Sequence, residues 1–318
     1  MVNPSILILA SKYDFSVDYV ISILHRRGAA YLRLNKEDID DYDICLNPQS
    51  TELTGKSDSL DFEINKDKLK AIWYRRPTYL RVADNVNPRQ RFVNGQWLSF
   101  MQGLMIYENC QWMNHPQSTY KAENKIVQLN SASRIGFSIP MTRISNSESV
   151  KFDYNANSIA IKGLDTVHIR IGDYQLFGYT NKVSRDEIQS LNVKSVPAIF
   201  QEYLEEKMDI RVTVVGDEVF AASITDKNMR AIEGDWRLKK NEIIFIEHQL
   251  PSDIEAMCIK LTESLGLSFG AIDLAYSDGR YYFFEVNPTG EWAWLVDDAG
   301  LPIDNAIANF LSKSIGTK

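Results

Sequence analysis

Near the start of the chain, Ser5 to Ala10 is a short β-rich run. A stripe at helical spacing follows in Phe15 to Gly28, where Val17, Val20, Ile21 and Leu24 share one face and Gly28 supplies the stop. Tyr31 to Leu34 is a second β-rich run. Strand, helix, strand in this order predicts a parallel sheet with a crossover helix. Ala71-Ile72-Trp73-Tyr74 predicts another strand, ending in Arg75-Arg76-Pro77, and a helix is expected from about Arg89 to Asn109. The first domain is placed at residues 1–116. Ser118 to Gly136 reads as one helix, capped by Ser118 and ended by Gly136. The pattern then changes to short strands with turn signals, expected at 158–162, 168–171, 176–182, 198–204, 209–215 and 219–224. Ser252 to Gly266 and Ile303 to Lys313 predict helices. The lobes after the first domain are placed at 117–200 and 201–318.

Phe269 to Tyr276 and Tyr281 to Asn287 read as a β-hairpin around a Ser277-Asp278-Gly279 turn. Ile272, Leu274 and Tyr276 form one apolar face, and Tyr282, Phe284 and Val286 the other. A two-residue Asp-Gly loop would set these faces on opposite sides of the sheet. A three-residue loop ending on a left-handed Gly279 aligns them. That register collects Asp273, Glu285 and Asn287 on the second face. Three hard oxygen ligands together suit a magnesium ion that carries nucleotide phosphates. The other reading is the polar side of a solvent-facing hairpin.

Composition narrows the classes. A chain of 318 residues, 44% hydrophobic and 24% charged, can bury a full core. Its net charge of −7 argues against a nucleic-acid partner held by phosphate neutralisation. No apolar run is long enough to span a membrane. Ile6-Leu7-Ile8-Leu9 is too short, and lacks the preceding basic region, for a signal peptide. Cys45, Cys110 and Cys258 are few and far apart. They suit a reducing cytoplasm and offer no zinc spacing.

The candidate chemistry lies in lysines, arginines and carboxylates. Lys125 sits on the helix ahead of the strand block, and Lys162 closes the strand beginning at Ser158. A lysine that ends a buried strand can aim its ammonium at a phosphate. Singly, either also reads as a solvated surface lysine. No Walker-type glycine loop is present. Gln201-Glu202-Tyr203-Leu204 is an extended segment able to border an adenine, with Glu202 or Glu205 in reach of a ribose hydroxyl. It reads equally as the end of an amphipathic strand. Asp209 and Arg211 share one side of a strand, and Asp235-Trp236-Arg237 repeats the spacing. Arginine in a cleft clamps phosphate or carboxylate in a bidentate way. Arg75 and Arg76 follow a strand end, where ligands of open α/β sheets bind. There they could hold an acidic substrate or lie in an ordinary surface loop.

Taken in order, this set resembles the ATP-grasp superfamily over about Asn114 to Gly290. Trp73-Tyr74-Arg75-Arg76-Pro77, Asp235-Trp236-Arg237 and Asn287-Pro288-Thr289-Gly290-Glu291-Trp292 resemble the ligases that cyclise graspetide (microviridin-type) precursor peptides. The resemblance implies an N-terminal open α/β domain followed by a two-lobed α+β ATP-grasp fold. It implies an ADP-forming ligase using ATP and Mg2+. Lys125, Lys162 and Gln201 to Leu204 would bind nucleotide, and Asp273, Glu285 and Asn287 the metal. Arg211, Arg237 and Asp209 would act in catalysis, and Arg75 and Arg76 on an acidic precursor peptide. The expected reaction activates a peptide Asp or Glu side chain as an acyl phosphate and closes an ester or amide within the same peptide. A glutamate-ligase-like enzyme that joins amino acids or modifies a protein terminus is the alternative. A non-catalytic nucleotide- or peptide-binding module is another. The sequence leaves open whether the chain pairs as a homodimer.

Overall fold

The computed structural model describes residues 1–75, 87–147, 158–165, 168–171, 174–177, 181–184, 194, 196–232, 234–239 and 241–313. β1 (Ile6–Ala10) is buried at every position, as an unbroken apolar run requires of a strand covered on both faces. α1 (Ser16–Arg26) leads back to β2 (Tyr31–Asn35), which pairs parallel to β1. β3 (Asp43–Asn47), β4 (Glu52–Lys56) and β5 (Asp61–Ile64) form a separate antiparallel sheet. The apolar pattern did not announce it, because β3 alternates exposed and half-buried residues and offers no continuous run. β6 (Ala71–Tyr74) lies on the other side of β1. α2 (Pro88–Gly103) ends earlier than expected and passes into a 3-10 turn at Leu104–Ile106. β7 (Gln111–Met113) completes a parallel sheet in the order β2-β1-β6-β7.

The single helix expected from Ser118 is two: α3 (Pro116–Ala122) and α4 (Lys125–Ile135). Pro116 starts the first, with His115 rather than Ser118 as the capping residue. Asn124 breaks the run, because its side chain accepts from the backbone N–H groups of Ile126 and Val127. Gly136 ends α4 in the left-handed region, as the sequence predicts. The break sets Lys125 at the first position of α4.

β8 (Thr142–Ser145), β9 (Ser158–Gly163), β10 (His168–Ile171), β11 (Tyr174–Phe177), β12 (Asn181–Ser184) and β13 (Ala198–Glu202) follow. Four of them form the sheet β12-β9-β13-β8, and β10 pairs with β11. The run 176–182, expected as one strand, is thus divided between two sheets. β14 (Met208–Val215), β15 (Glu218–Asp226), β16 (Ile243–Glu247), β17 (Phe269–Ser277) and β18 (Arg280–Asn287) make an antiparallel sheet in the order β16-β15-β14-β17-β18. α5 (Ser252–Ser264), α6 (Ala293–Ala299) and α7 (Ile303–Ser312) complete the described elements.

One face of the five-stranded sheet is apolar. Ile210, Val212, Val214, Ile272, Leu274, Phe283 and Val286 pack there with Ala132 of α4 and with Cys258 and Leu261 of α5. The alternate residues of β14, Asp209, Arg211 and Thr213, face the other way. A second core joins β1, α1 and β6 to Phe269, Ala271, Trp292 and the buried stripe of α7. The parallel sheet and the five-stranded sheet therefore share buried surface. No helix among the described residues is long and apolar enough to cross a membrane.

The hairpin solves its register problem differently from the expectation. Its loop has two residues, Asp278 and Gly279, both at positive φ (48° and 74°), and Ser277 pairs with Arg280. A β-bulge corrects the mismatch. Leu274 pairs with Phe283 and Asp273 with Glu285, leaving Phe284 as the extra residue. Phe283, not Phe284, therefore fills the core. Tyr282, also expected in the core, pairs with Ala275 and is partly exposed.

Candidate functional site

Arg211, Asp273 and Glu285 lie in one line across three strands, since Arg211 pairs with Asp273 and Asp273 with Glu285. Arg211 Nη1 is 2.6 Å from Asp273 Oδ1, and its Nη2 donates to the Glu291 carbonyl at 3.1 Å. Arg237 arrives from the 3-10 turn Trp236–Lys239. Its backbone N–H is held by the Asp235 carboxylate at 3.1 Å, and its guanidinium lies 5.4 Å from the centre of the Trp236 ring. Trp236 in turn meets Phe245 edge-on and Trp294 at a tilt. Arg237 Nη2 then reaches Asp273 Oδ2 at 3.1 Å and Glu285 Oε1 at 3.2 Å. Lys125 Nζ meets Glu285 Oε2 at 3.3 Å.

Burial opposes the charge on Glu285, but Lys125, Arg237 and Lys162 outweigh it and hold the carboxyl well below the usual range. Burial likewise works against the charge on Arg237, and Asp273, Glu285 and Asp235 more than offset it, raising its pKa. Two carboxylates thus converge on one positively charged atom. Asn287 Nδ2 lies 3.5 Å from Glu285 Oε1. This is the donor set that a divalent cation needs when phosphates and waters fill its other positions. Among the described residues, no group of three or more His, Cys, Asp or Glu side chains could hold a metal ion. The residues present fit a magnesium ion bound together with a phosphate ligand.

On the facing sheet, Lys162 Nζ donates to Gln201 Oε1 at 2.9 Å and lies 4.6 Å from the centre of the Phe284 ring. The bulge is what turns Phe284 to this side. Burial pushes the Lys162 ammonium down to about 8, against the pull of Glu285 and with further repulsion from Lys125, Arg237 and Lys207. Gln201 is buried, and its amide also donates to Thr142 Oγ1 at 2.9 Å. The side chain of Gln201 therefore holds Lys162 in place. Glu202 turns its carboxylate to the Met141 N–H at 3.2 Å. Lys182 Nζ lies 4.5 Å from the centre of the Tyr203 ring and 2.6 Å from Glu205. Asp209 is paired with Lys207, and burial raises its pKa against that pairing.

Arg75 lies apart from this cluster, 2% exposed. Its Nε is 3.1 Å from Asp14 Oδ2, and its Nη2 is 3.0 Å from Glu291 Oε2. Its Nη1 donates to the carbonyls of Thr289 and Gly290 at 2.7 and 3.0 Å. The side chain expected to meet substrate instead grips the loop after β18. Arg76 lies outside the described residues. Arg75→Met leaves the Asp14 carboxylate, 3% exposed, without its cation. The expected loss of stability is about 3–5 kcal/mol, read from urea unfolding; an unchanged midpoint would contradict the clamp.

Sequence reasoning passed over three residues that shape the site. Asn114 is 2% exposed, and its amide makes four bonds, donating to Phe269 O and Pro288 O and accepting from the N–H groups of Ser268 and Phe269. Lys207 and Gln128 are the others. The available signal was a polar residue next to an apolar strand or on an apolar helix face. Gly290 closes the set: a Cβ there would lie 2.4 Å from Ala271 Cβ and 3.0 Å from Arg211 Nη2, so only glycine fits.

Comparison with known proteins supports the reading from residues. The RimK-like ATP-grasp domain matches residues 123–311, more than half of the chain. A probable alpha-L-glutamate ligase of Klebsiella pneumoniae (strain 342) is 27% identical over 184 residues, 55% of this chain and 58% of that protein. The match thus spans less than two thirds of that relative's length. A ribosomal protein bS6--L-glutamate ligase of Escherichia coli O7:K1 (strain IAI39 / ExPEC) is 23% identical over 65% of this chain and 69% of its own. Among solved structures, a RiPP-associated ATP-grasp ligase of Chryseobacterium gregarium, in complex with ADP and a leader and core peptide, superimposes with a TM-score of 0.83. It is 25% identical and covers 98% of this chain and 97% of its own. The macrocyclase MdnC of Microcystis aeruginosa MRC, bound with precursor peptide MdnA, gives 0.82 at 25% identity, over 97% of this chain and 99% of that one. The resemblance drawn from the sequence is borne out, and so is the α/β and α+β fold class. The chain belongs to the RimK-like ATP-grasp domain family.

Proposed function

We propose that this chain uses ATP and Mg2+ to activate an Asp or Glu side chain of a ribosomal precursor peptide, and then closes an ester or amide within that peptide. The observation that carries this reading is coverage. The peptide-bound ligases of known structure, 25% identical, superimpose on 97–98% of the chain, N-terminal sheet included, with TM-scores of 0.82–0.83. ATP is assigned to the space between the sheet bearing Lys162 and the sheet bearing Arg211, Asp273 and Glu285, with the backbone of Gln201 to Leu204 at its adenine. Magnesium, when held by Asp273, Glu285 and Asn287, supplies charge neutralisation for the phosphates. Lys125 and Lys162 add positive charge beside them. The substrate carboxylate attacks the γ-phosphorus and ADP leaves. A Thr, Ser or Lys side chain then attacks the acyl carbon and phosphate leaves. Arg211 and Arg237 stabilise the charge that develops, and Asp209 holds Lys207. Arg76 is assigned to acidic groups of the peptide; Arg75 acts on it only through the loop it grips.

The test is mass spectrometry of acidic peptides rich in Thr, Ser or Lys, incubated with the protein, ATP and Mg2+. Loss of one water per cross-link is expected. ADP release without water loss, together with glutamate added to an acceptor, would favour the second reading, which rests on the names of the curated relatives. No ADP release with either substrate would leave a binding module.

The depressed Lys162 gives a pH signature. In the free protein its charge is lost as pH rises through about 8. Bound phosphates favour the charged form, so nucleotide binding above pH 8 takes up a proton. Affinity should be flat below about pH 7 and fall by up to about tenfold per pH unit above 8. Calorimetry in two buffers of different ionisation enthalpy reads the uptake. Lys162→Arg should abolish it, and equal heats in both buffers at pH 8.5 would sink the assignment.

A further inference from the structure

We infer that Gln128 is the residue that positions Glu285 and Asn287, an inference resting on the magnesium reading above. β18 is the edge strand of its sheet, so the outward backbone groups of Val286 have no neighbouring strand to bind. Gln128 takes that place. Its Oε1 accepts from Val286 N at 3.0 Å, and its Nε2 donates to Val286 O at 2.8 Å. The same Nε2 donates to Ala122 O at 2.5 Å, at the end of α3. The side chain is 3% exposed, so water does not compete for these bonds. One amide thus stands in for a peptide group of a sixth strand.

The residue so held is the one between the two metal-ligand positions. Any slip or twist of the Val286 backbone would swing Glu285 and Asn287 together. Gln128 also lies three residues beyond Lys125, on the same side of α4. One helical turn therefore delivers both the cation that meets Glu285 at 3.3 Å and the amide that fixes the next residue. The bond to Ala122 ties this turn to the α3–α4 break, the feature that points Lys125 at the site. Gln128 touches neither metal nor nucleotide; it acts through Val286.

A structural role alone would lower stability without moving metal affinity, and this separates the two. Mn2+ binding in the presence of ADP is followed by electron paramagnetic resonance. Binding of a fluorescent ADP analogue is followed in EDTA, and thermal melts report the fold. Gln128→Leu should weaken Mn2+ about 10–100-fold, as loss of an outer-shell partner does, with metal-free ADP binding changed less than about twofold. Gln128→Glu keeps the acceptor for Val286 N–H and should fall between the two. Glu285→Gln is the control for the metal site. If it loses Mn2+ while both Gln128 variants bind like wild type, the positioning role is wrong. If Glu285→Gln also binds like wild type, the metal reading fails and the inference with it. Should Gln128→Leu not fold, Gln128→Glu decides; if neither folds, Gln128 serves the fold first and the inference is overturned.

Discussion

Glu285→Ala is expected to abolish ATP turnover, by more than the roughly hundredfold that an outer-shell change reaches, in a protein that keeps its fold. The carboxylate lies where three influences meet: Lys125 on one oxygen, Arg237 on the other, and Asp273 in register beside it. Removing it takes away one of the two anionic donors proposed for the divalent cation. It also leaves Lys125 and Arg237 drawn toward the remaining carboxylates. The hydrophobic cores do not include Glu285, and Arg237 keeps Asp273 and Asp235 as partners. Coupled detection of ADP, with far-ultraviolet circular dichroism and a thermal melt, checks both halves. Turnover at the wild-type rate would remove the metal assignment.

Arg211→Ala should lose product formation by about 10²–10³-fold in kcat, while the KM for ATP moves only a few-fold. Arg211 is 6% exposed, and its guanidinium forks between Asp273 and the Glu291 carbonyl. It can therefore turn toward charge that develops on the transferring phosphoryl and acyl groups without a large solvent penalty. Interactions strengthened only in the transition state appear in kcat rather than in ground-state binding. Arg211→Lys restores the charge but not the two-pronged geometry, and should recover only part of the rate. Equal losses in ATP affinity and kcat would move Arg211 from the transfer step to nucleotide binding. Full activity would refute the clamp.

How much of this was legible beforehand depended on the range of the signal. β1, α1, β14 and α5 were readable because each carries its own periodicity. The pairing of Asp273 with Glu285 was foreseen for an incomplete reason: buried faces had to align, but the chain achieved this with an extra residue at Phe284 rather than in the turn. Apolar alternation cannot distinguish the two, since both add one residue. The α3–α4 break was missed because Asn124 interrupts an otherwise helix-favouring run by a single side-chain cap. The grip of Arg75 on the loop after β18 was not foreseen, because those partners lie more than two hundred residues away, in Thr289 to Glu291. Gln128 and Asn114 stood out only as polar residues beside apolar ones, with nothing to say what they bind. Their bonds go to backbone atoms, which leave no mark in the partner's residue type.

The grip of Arg75 and Asn114 on the loop after β18 bears on how such ligases can be recombined. Both anchors belong to the segment that precedes the matched RimK-like region, yet they fasten Pro288 to Glu291, the stretch that follows Asn287 and meets Arg211. An N-terminal segment borrowed from another ligase would arrive with its own anchors, cut for a different loop. The segment is thus a bracket for the hairpin as well as whatever else it offers, and the two are expected to have diverged in step. Chimaeras should be planned with the junction on both sides of that contact, so that the 288–291 loop travels with the sheet that holds it.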